Sequence, residues 1–338
     1  IGCLLILLQW PIALIAFNLL DGGEEVERLA LLYFDIRIWS APAALANYAI
    51  AGWFIGLGRA KTALVLQVFL NLVNLVFNIW LALGLGWGIT GIAAGTLIAE
   101  VSAAILGLAA AAHALKLYPG VWSRVRLLDA AHLARTIAVN RDIMIRTIVL
   151  LLSFSWFTAK SAEAGTVILA VNSILLQFVT ACAFFLDGFA LAAETLTGKA
   201  AGARDIRGFD RAAKLSTLWA AGVSVLLTLS MFAVGGVAID FLSLDPEVRE
   251  TARIYLVWAA LLPVLSVWCY QLDGIFIGAT RSAEMRNAAL VSSLLFLALW
   301  WLFLPYGNHG LWAALTGFSL MRALSLGFYF PQMRRGIA

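Results

Sequence analysis

Asp187 stands in a run, 165–197, that is apolar for many positions before it, and Thr180, Asp187 and Glu194 follow one another at intervals of seven. On an α-helix that spacing keeps all three within ~20° of one face. Ionisable groups inside hydrocarbon are costly and turn toward a bundle interior or a water-filled cavity. Desolvation also penalises the charged form of a carboxylate, so a carboxylate in such a place is suited to reversible protonation or to holding a cation. The plainer readings are a helix-to-helix hydrogen bond for Asp187 and snorkelling to water for Glu194. Asp273 lies in a second apolar run, 248–279, and is expected to face the same interior as Asp187. Glu100 sits mid-run in 89–115. Asn71, Asn74 and Asn78 share a face at i, i+3 and i+7, where amides either bond across helices or line a cavity. Arg322 is also mid-run and needs a carboxylate or carbonyl partner. Asp35 and Arg37 are two positions apart, so they do not face each other on a helix; they read as solvated interfacial charges.

Other chemistry is not written here. Cys3, Cys182 and Cys269 lie inside apolar runs without a Cys-x-x-Cys pair, as small buried hydrophobes do. His113, His132 and His309 are scattered, and no nucleophile elbow, His-Glu-x-x-His or phosphate-loop pattern occurs. We therefore expect no enzyme, no cofactor, no metal and no nucleic-acid partner.

The elements that must carry these residues are membrane helices. Of 338 residues, 63% are hydrophobic and 12% charged, against ~25% charged in soluble domains. Ten runs can cross ~30 Å of hydrocarbon. They lie near 1–20, 28–58, 62–83, 89–115, 142–160, 165–197, 210–240, 248–279, 284–304 and 310–332. Most of the 23 Lys and Arg residues fall at alternate junctions: Arg59/Lys61, Lys116 to Arg146, Lys199 to Lys214, Arg281/Arg286 and Arg334/Arg335. The positive-inside rule makes that side, and the C-terminus, cytoplasmic.

A shift of 222 positions then aligns the chain with itself. Gly52, Phe54, Ile55, Gly56 and Arg59 recur as Gly274, Phe276, Ile277, Gly278 and Arg281. Tyr33, Tyr48, Gly88 and Gly95 recur as Tyr255, Tyr270, Gly310 and Gly317. A register held without gaps marks a duplicated unit. Six runs separate the copies, so the repeat is parallel. Both copies carry Gly-x-x-x-Gly, expected to be a close helix-packing face ending in an interfacial arginine. Pro42 and Pro263 fall in corresponding runs and are expected to kink them. The expected organisation is a lobe of four helices at 1–115, a cytoplasmic linker at 116–141 and a lobe of six helices at 142–338. The runs 142–160 and 165–197 have no partner 222 positions upstream, from which about 80 residues and two helices are expected before Ile1.

The stretches "RIWSAPAALANYAIAGWFIGLGRAK", "GWGITGIAAGTLIAE", "DGFALAAETLTGKAAGARD" and "QLDGIFIGATRSAEMRNA" resemble the DinF branch of the multidrug and toxic compound extrusion (MATE) transporters. That resemblance implies an all-α polytopic membrane protein with ten of twelve transmembrane helices in two lobes. It also implies a monomer in the bacterial inner membrane. The implied activity is export of amphipathic or cationic organic compounds in exchange for H⁺, or Na⁺, by alternating access. In that branch an aspartate and a kinking proline on the first helix serve coupling, and both would precede Ile1. The alternative is a flippase for lipid-linked sugars or lipids. It would favour a cationic cavity, whereas the interior charges of this sequence read as mostly acidic.

Overall fold

The structure is a computed structural model, and it describes residues 1–19, 24–117 and 129–337. Twelve helices account for the described residues, and no strand occurs among them. The chain divides into two compact units, Ile1–Ser123 and Arg124–Ala338. His132 and the linker positions 118–128 carry no described side chain.

Unit 1 contains α1 (Gly2–Leu7), α2 (Gln9–Leu19), α3 (Glu24–Arg37), α4 (Ala41–Gly56), α5 (Ala60–Asn78) and α6 (Gly88–Leu115). A 3₁₀ turn, Ile38–Ser40, joins α3 to α4, and Pro42 falls in the first turn of α4, where its missing N–H is tolerated. The proline thus begins a helix instead of bending one. α5 runs on into a π-helical turn, Ile79–Gly84, of the kind often found at functional sites. α6 packs on α3, α4 and α5. Gly91 and Gly95 allow that approach: a Cβ on Gly91 would meet the Ala82 backbone at 2.7 Å, and one on Gly95 the Asn78 backbone at 2.9 Å.

Unit 2 contains α7 (Ala130–Glu163), α8 (Thr166–Gly202), α9 (Ile206–Leu242), α10 (Pro246–Gly278), α11 (Ser282–Leu302) and α12 (Gly307–Arg335). Asp129, Asp205 and Asp245 start α7, α9 and α10 by accepting from the Ala131, Gly208 and Glu247 amides. α7 thus begins well before Arg141, inside the stretch expected as linker. α10 is central and packs on α8, α9 and α12, while α7 packs on α11 and α8. The core holds Phe157, Leu175, Phe296, Trp312 and Phe318. Trp312 meets Phe157 edge-on at 5.0 Å, and its indole donates to Asn172 at 2.9 Å. Pro263 stays inside a continuous α10.

Among the described residues, eight helices are long and apolar enough to cross a membrane, where ten runs were expected. The two shortfalls have physical causes. Residues 1–19 are broken at Leu8 into two short helices. α7 mixes its apolar run with Arg141, Asp142, Arg146, Lys160 and Glu163.

The repeat is legible in backbone geometry. α4 ends with Gly58 at φ +73° and α10 with Thr280 at φ +58°, the same place in the two copies. Gly58 donates to Ile55 and Arg59 to Phe54; Thr280 donates to Ile277 and Arg281 to Phe276. Both are left-handed helix stops that satisfy otherwise orphan carbonyls. The Gly-x-x-x-Gly pair behaves differently in the two units. Gly274 and Gly278 press on α8 at Ala190 and at Glu194–Gly198, whereas Gly52 and Gly56 have nothing within 4 Å of an added Cβ. Among the described residues, the expected packing face is therefore occupied in unit 2 only. In unit 1, α5 leaves Leu64, Leu72 and Val76 exposed, and the π turn that follows leaves Trp80 exposed.

Candidate functional site

Unit 2 encloses a cavity of about 310 Å³ between α7, α8, α10 and α12. Its polar lining includes Arg146, Thr147, Asp187, Ser266, Tyr270, Ser319 and Arg322, against apolar walls that include Phe154, Leu262 and Phe318. The apolar periodicity of each helix buries one face, and the polar residues sit where four such faces converge.

Asp273, buried beside this cavity, accepts hydrogen bonds from both Arg146 and Arg322 on one oxygen, Oδ2. Arg322 is 8% exposed, and its guanidinium lies 5.6 Å from the Phe318 ring centre. Isolated charges cannot be buried cheaply, so the carboxylate and the two guanidinium groups hold one another in place. Asp187 lies on an exposed face of α8 and lines the same cavity. It is within electrostatic reach of Arg146, Asp273 and Arg322. Among the described residues it has no hydrogen-bond or ion-pair partner in the protein. The site thus holds two carboxylates and two arginines, one carboxylate committed and one free.

The geometry sorts the residues singled out from sequence. Asp187 and Asp273 come together around the arginine pair. Thr180 shares the exposed face of α8 and donates to its own helix, at the Leu176 carbonyl. Glu194 is half-buried farther along α8, beside Gly278, and does not line the cavity. Arg322 has the carboxylate partner it required. Arg146, grouped from sequence with the cytoplasmic linker charges, instead reaches the interior of unit 2. It was legible only as an arginine inside the apolar run 142–160. The interior is therefore not mostly acidic, and Tyr270 and Arg146 are site residues that sequence reasoning passed over.

Unit 1 has its own polar clusters. Asn74 donates to Thr96 at 2.9 Å, and Asn78 donates to Asn74 at 3.1 Å. The Asn78 carbonyl oxygen is buried without a protein partner, next to Gly95 and the π turn. Asn71 is exposed and accepts from Gln67 at 3.4 Å. Farther along α6, Glu100 receives Arg37 at 3.1 Å, and its backbone carbonyl receives the Asn47 amide at 2.9 Å. Arg37 thus turns inward to a carboxylate, contrary to its reading as a solvated charge, because α3 and α6 pack side by side. The other Glu100 oxygen, Oε2, is buried without a partner. No cluster of His, Cys, Asp and Glu fit to hold a metal occurs among the described residues.

The MatE family model matches residues 1–80 and 143–304. DNA damage-inducible protein F of Escherichia coli (strain K12) is 39% identical over 332 residues, covering 96% of this chain and 71% of that protein. Protein DETOXIFICATION 43 of Arabidopsis thaliana is 24% identical, and the chain spans about half of its length, 55%. A MATE crystal structure in a bent conformation aligns with TM-score 0.86 at 17% identity, over 99% of this chain and 75% of that one. A MOP superfamily transporter from Pyrococcus furiosus, described as having a binding pocket of reversed polarity, aligns with TM-score 0.88 at 15% identity, over 99% and 76%. With its family match running through both units and a relative at 39% identity, this all-helical membrane chain belongs to the MatE family of transporters.

Proposed function

We propose that the protein is a secondary antiporter that exports amphipathic or cationic organic compounds in exchange for H⁺, or Na⁺, by alternating access. The observation that carries the reading is Asp187. It is a carboxylate without a protein partner among the described residues, on the wall of a cavity whose two arginines both bind Asp273. A proton or sodium ion on Asp187 and the positive group of a substrate would compete for one negative site, which is the requirement for exchange. Asp273 keeps the arginines in position, because both guanidinium groups hold one of its oxygens. In unit 1, the Asn74–Asn78–Thr96 cluster and Glu100 are the candidates for contacting substrate or ion. The test is exchange in proteoliposomes, with ethidium as the cation and an imposed pH or sodium gradient. Asp187→Asn keeps the shape and cannot titrate, and it should abolish gradient-driven exchange while the protein stays folded. Unchanged exchange in that variant refutes the role.

A second reading, a flippase for lipid-linked sugars or lipids, is favoured by Arg146 and Arg322, since guanidinium pairs suit phosphate groups. Gradient-independent movement of a labelled phospholipid in the same vesicles, with no ethidium exchange, is the result that would select it.

A further inference from the structure

The charges of the unit 2 cavity do not suit a simple organic cation. Arg146 and Arg322 each donate through one nitrogen, Nη2, to the same oxygen of Asp273. A guanidinium carries five N–H donors in a fixed fork. Two positive charges therefore meet one committed negative charge, and most of their donors are left to face the cavity or its walls. The remaining negative charge, Asp187, lines the same space and lacks a protein partner among the described residues. A cation alone would neutralise Asp187 and strand the surplus of the arginine pair. An anion alone would do the reverse. A ligand with both charges leaves nothing uncompensated, and buried charge is tolerated only when matched.

We propose that the unit 2 cavity takes a zwitterionic amphiphile. Its cationic group lies against Asp187, its carboxylate, sulfate or phosphate lies against the free donors of Arg146 and Arg322, and its apolar body lies against Phe154, Leu262 and Phe318. The inference deepens the antiport reading and rests on it for direction of transport. A proton on Asp187 displaces the cationic end and leaves the arginine pair as the only charged anchor, so proton and ligand exclude each other. The cavity volume of about 310 Å³ is at the small end of the usual range for small-molecule sites. It accommodates a single fused ring with its charged groups. Tyr270 and Ser319 add neutral hydrogen-bonding groups on the same wall.

Three ligands that share one apolar body provide the test. These are 2-naphthylalanine (zwitterion), its methyl ester (cation) and its N-acetyl derivative (anion), titrated calorimetrically into the purified protein. The zwitterion should bind at least tenfold tighter than either derivative. Arg146→Gln, which leaves Arg322 to hold Asp273 and removes the surplus positive charge, should bring the zwitterion down to the ester without weakening the ester. Asp187→Asn should bring it down to the N-acetyl compound. Competition by lysophosphatidylcholine assigns the site to a lipid headgroup, and its absence assigns it to a free solute. An ester that binds as tightly as the zwitterion overturns the proposal, and so does an Arg146→Gln effect equal on all three ligands. Gradient-driven ethidium exchange that persists without a zwitterion preference defeats this inference alone. A zwitterion preference without any exchange defeats the antiport reading alone.

Discussion

Glu100 and Arg322 hold the same place in the repeat and carry opposite charges, and each is tied to an opposite charge on another helix of its own unit. Glu100 on α6 receives Arg37 from α3 at 3.1 Å. Arg322 on α12 is bound to Asp273 of α10. The duplicated frame thus carries an ion-paired residue at one equivalent position of α6 and α12, half-buried in unit 1 and buried in unit 2, with the sign exchanged. In unit 1 the pair is one-to-one, whereas in unit 2 Arg146 joins Arg322 on Asp273.

The Arg37–Glu100 pair sets a measurable stability expectation. Glu100→Leu alone leaves the half-buried Arg37 guanidinium with Ser40 as a remaining partner, and losing one hydrogen bond between charged groups costs ~1–3 kcal/mol. The double variant Arg37→Leu/Glu100→Leu removes both charges and should recover most of that loss. Thermal unfolding in detergent measures both, and a double variant as unstable as the sum of the singles would show that the pair is not coupled.

The repeated glycines should respond in opposite ways. A Cβ on Gly274 overlaps the Ala190 carbonyl, and its distance to the Ala190 carbonyl carbon would be only 2.8 Å. Backbone must then move, so Gly274→Ala should cost ~1–3 kcal/mol through overpacking. Gly52 meets nothing within 4 Å, so Gly52→Ala should gain ~0.5–1 kcal/mol of helix stability. Equal midpoints for the two variants would contradict the difference in packing.

Thr280 is a β-branched residue in the left-handed conformation that its counterpart Gly58 adopts without cost. Thr280→Gly should stabilise the α10 stop by ~1 kcal/mol, and Gly58→Thr should destabilise the α4 stop by a similar amount. Denaturation midpoints that move in the same direction for both would refute the equivalence.

What the sequence disclosed follows from what repeats. Gly52–Arg59 and Gly274–Arg281 announced a duplication because their type and order recur, and their backbone turns match in the structure. The lone position of Asp187 in an apolar run gave its candidacy. Arg146 was missed because clustering with Arg124, Arg126, Arg135 and Arg141 signals an interface. Only the packing of α7 against α11 and α8 shows which arginine of that group turns inward. Arg37 was misjudged for a similar reason, since its partner Glu100 lies 63 positions away. Periodicity locates a helix face, but long-range pairing of charges is decided by which faces meet.

Gln271 offers the sharpest test of how far unit 2 is shaped by stability. It is 1% exposed, and both its amide oxygen and its amide nitrogen lack a protein partner. A buried polar group without a hydrogen bond costs ~1–3 kcal/mol. Leucine has similar volume and nothing to satisfy, so Gln271→Leu should raise the unfolding free energy by ~1–3 kcal/mol. Asp273, two positions along α10, keeps its two arginine partners in that variant, so the cavity and its ligand preference should be unchanged. A stabilised protein with unaltered zwitterion binding would mark Gln271 as a tolerated defect in the core. A destabilised Gln271→Leu would instead mean that ordered water, or another bound group, satisfies the amide and helps hold α10 in place.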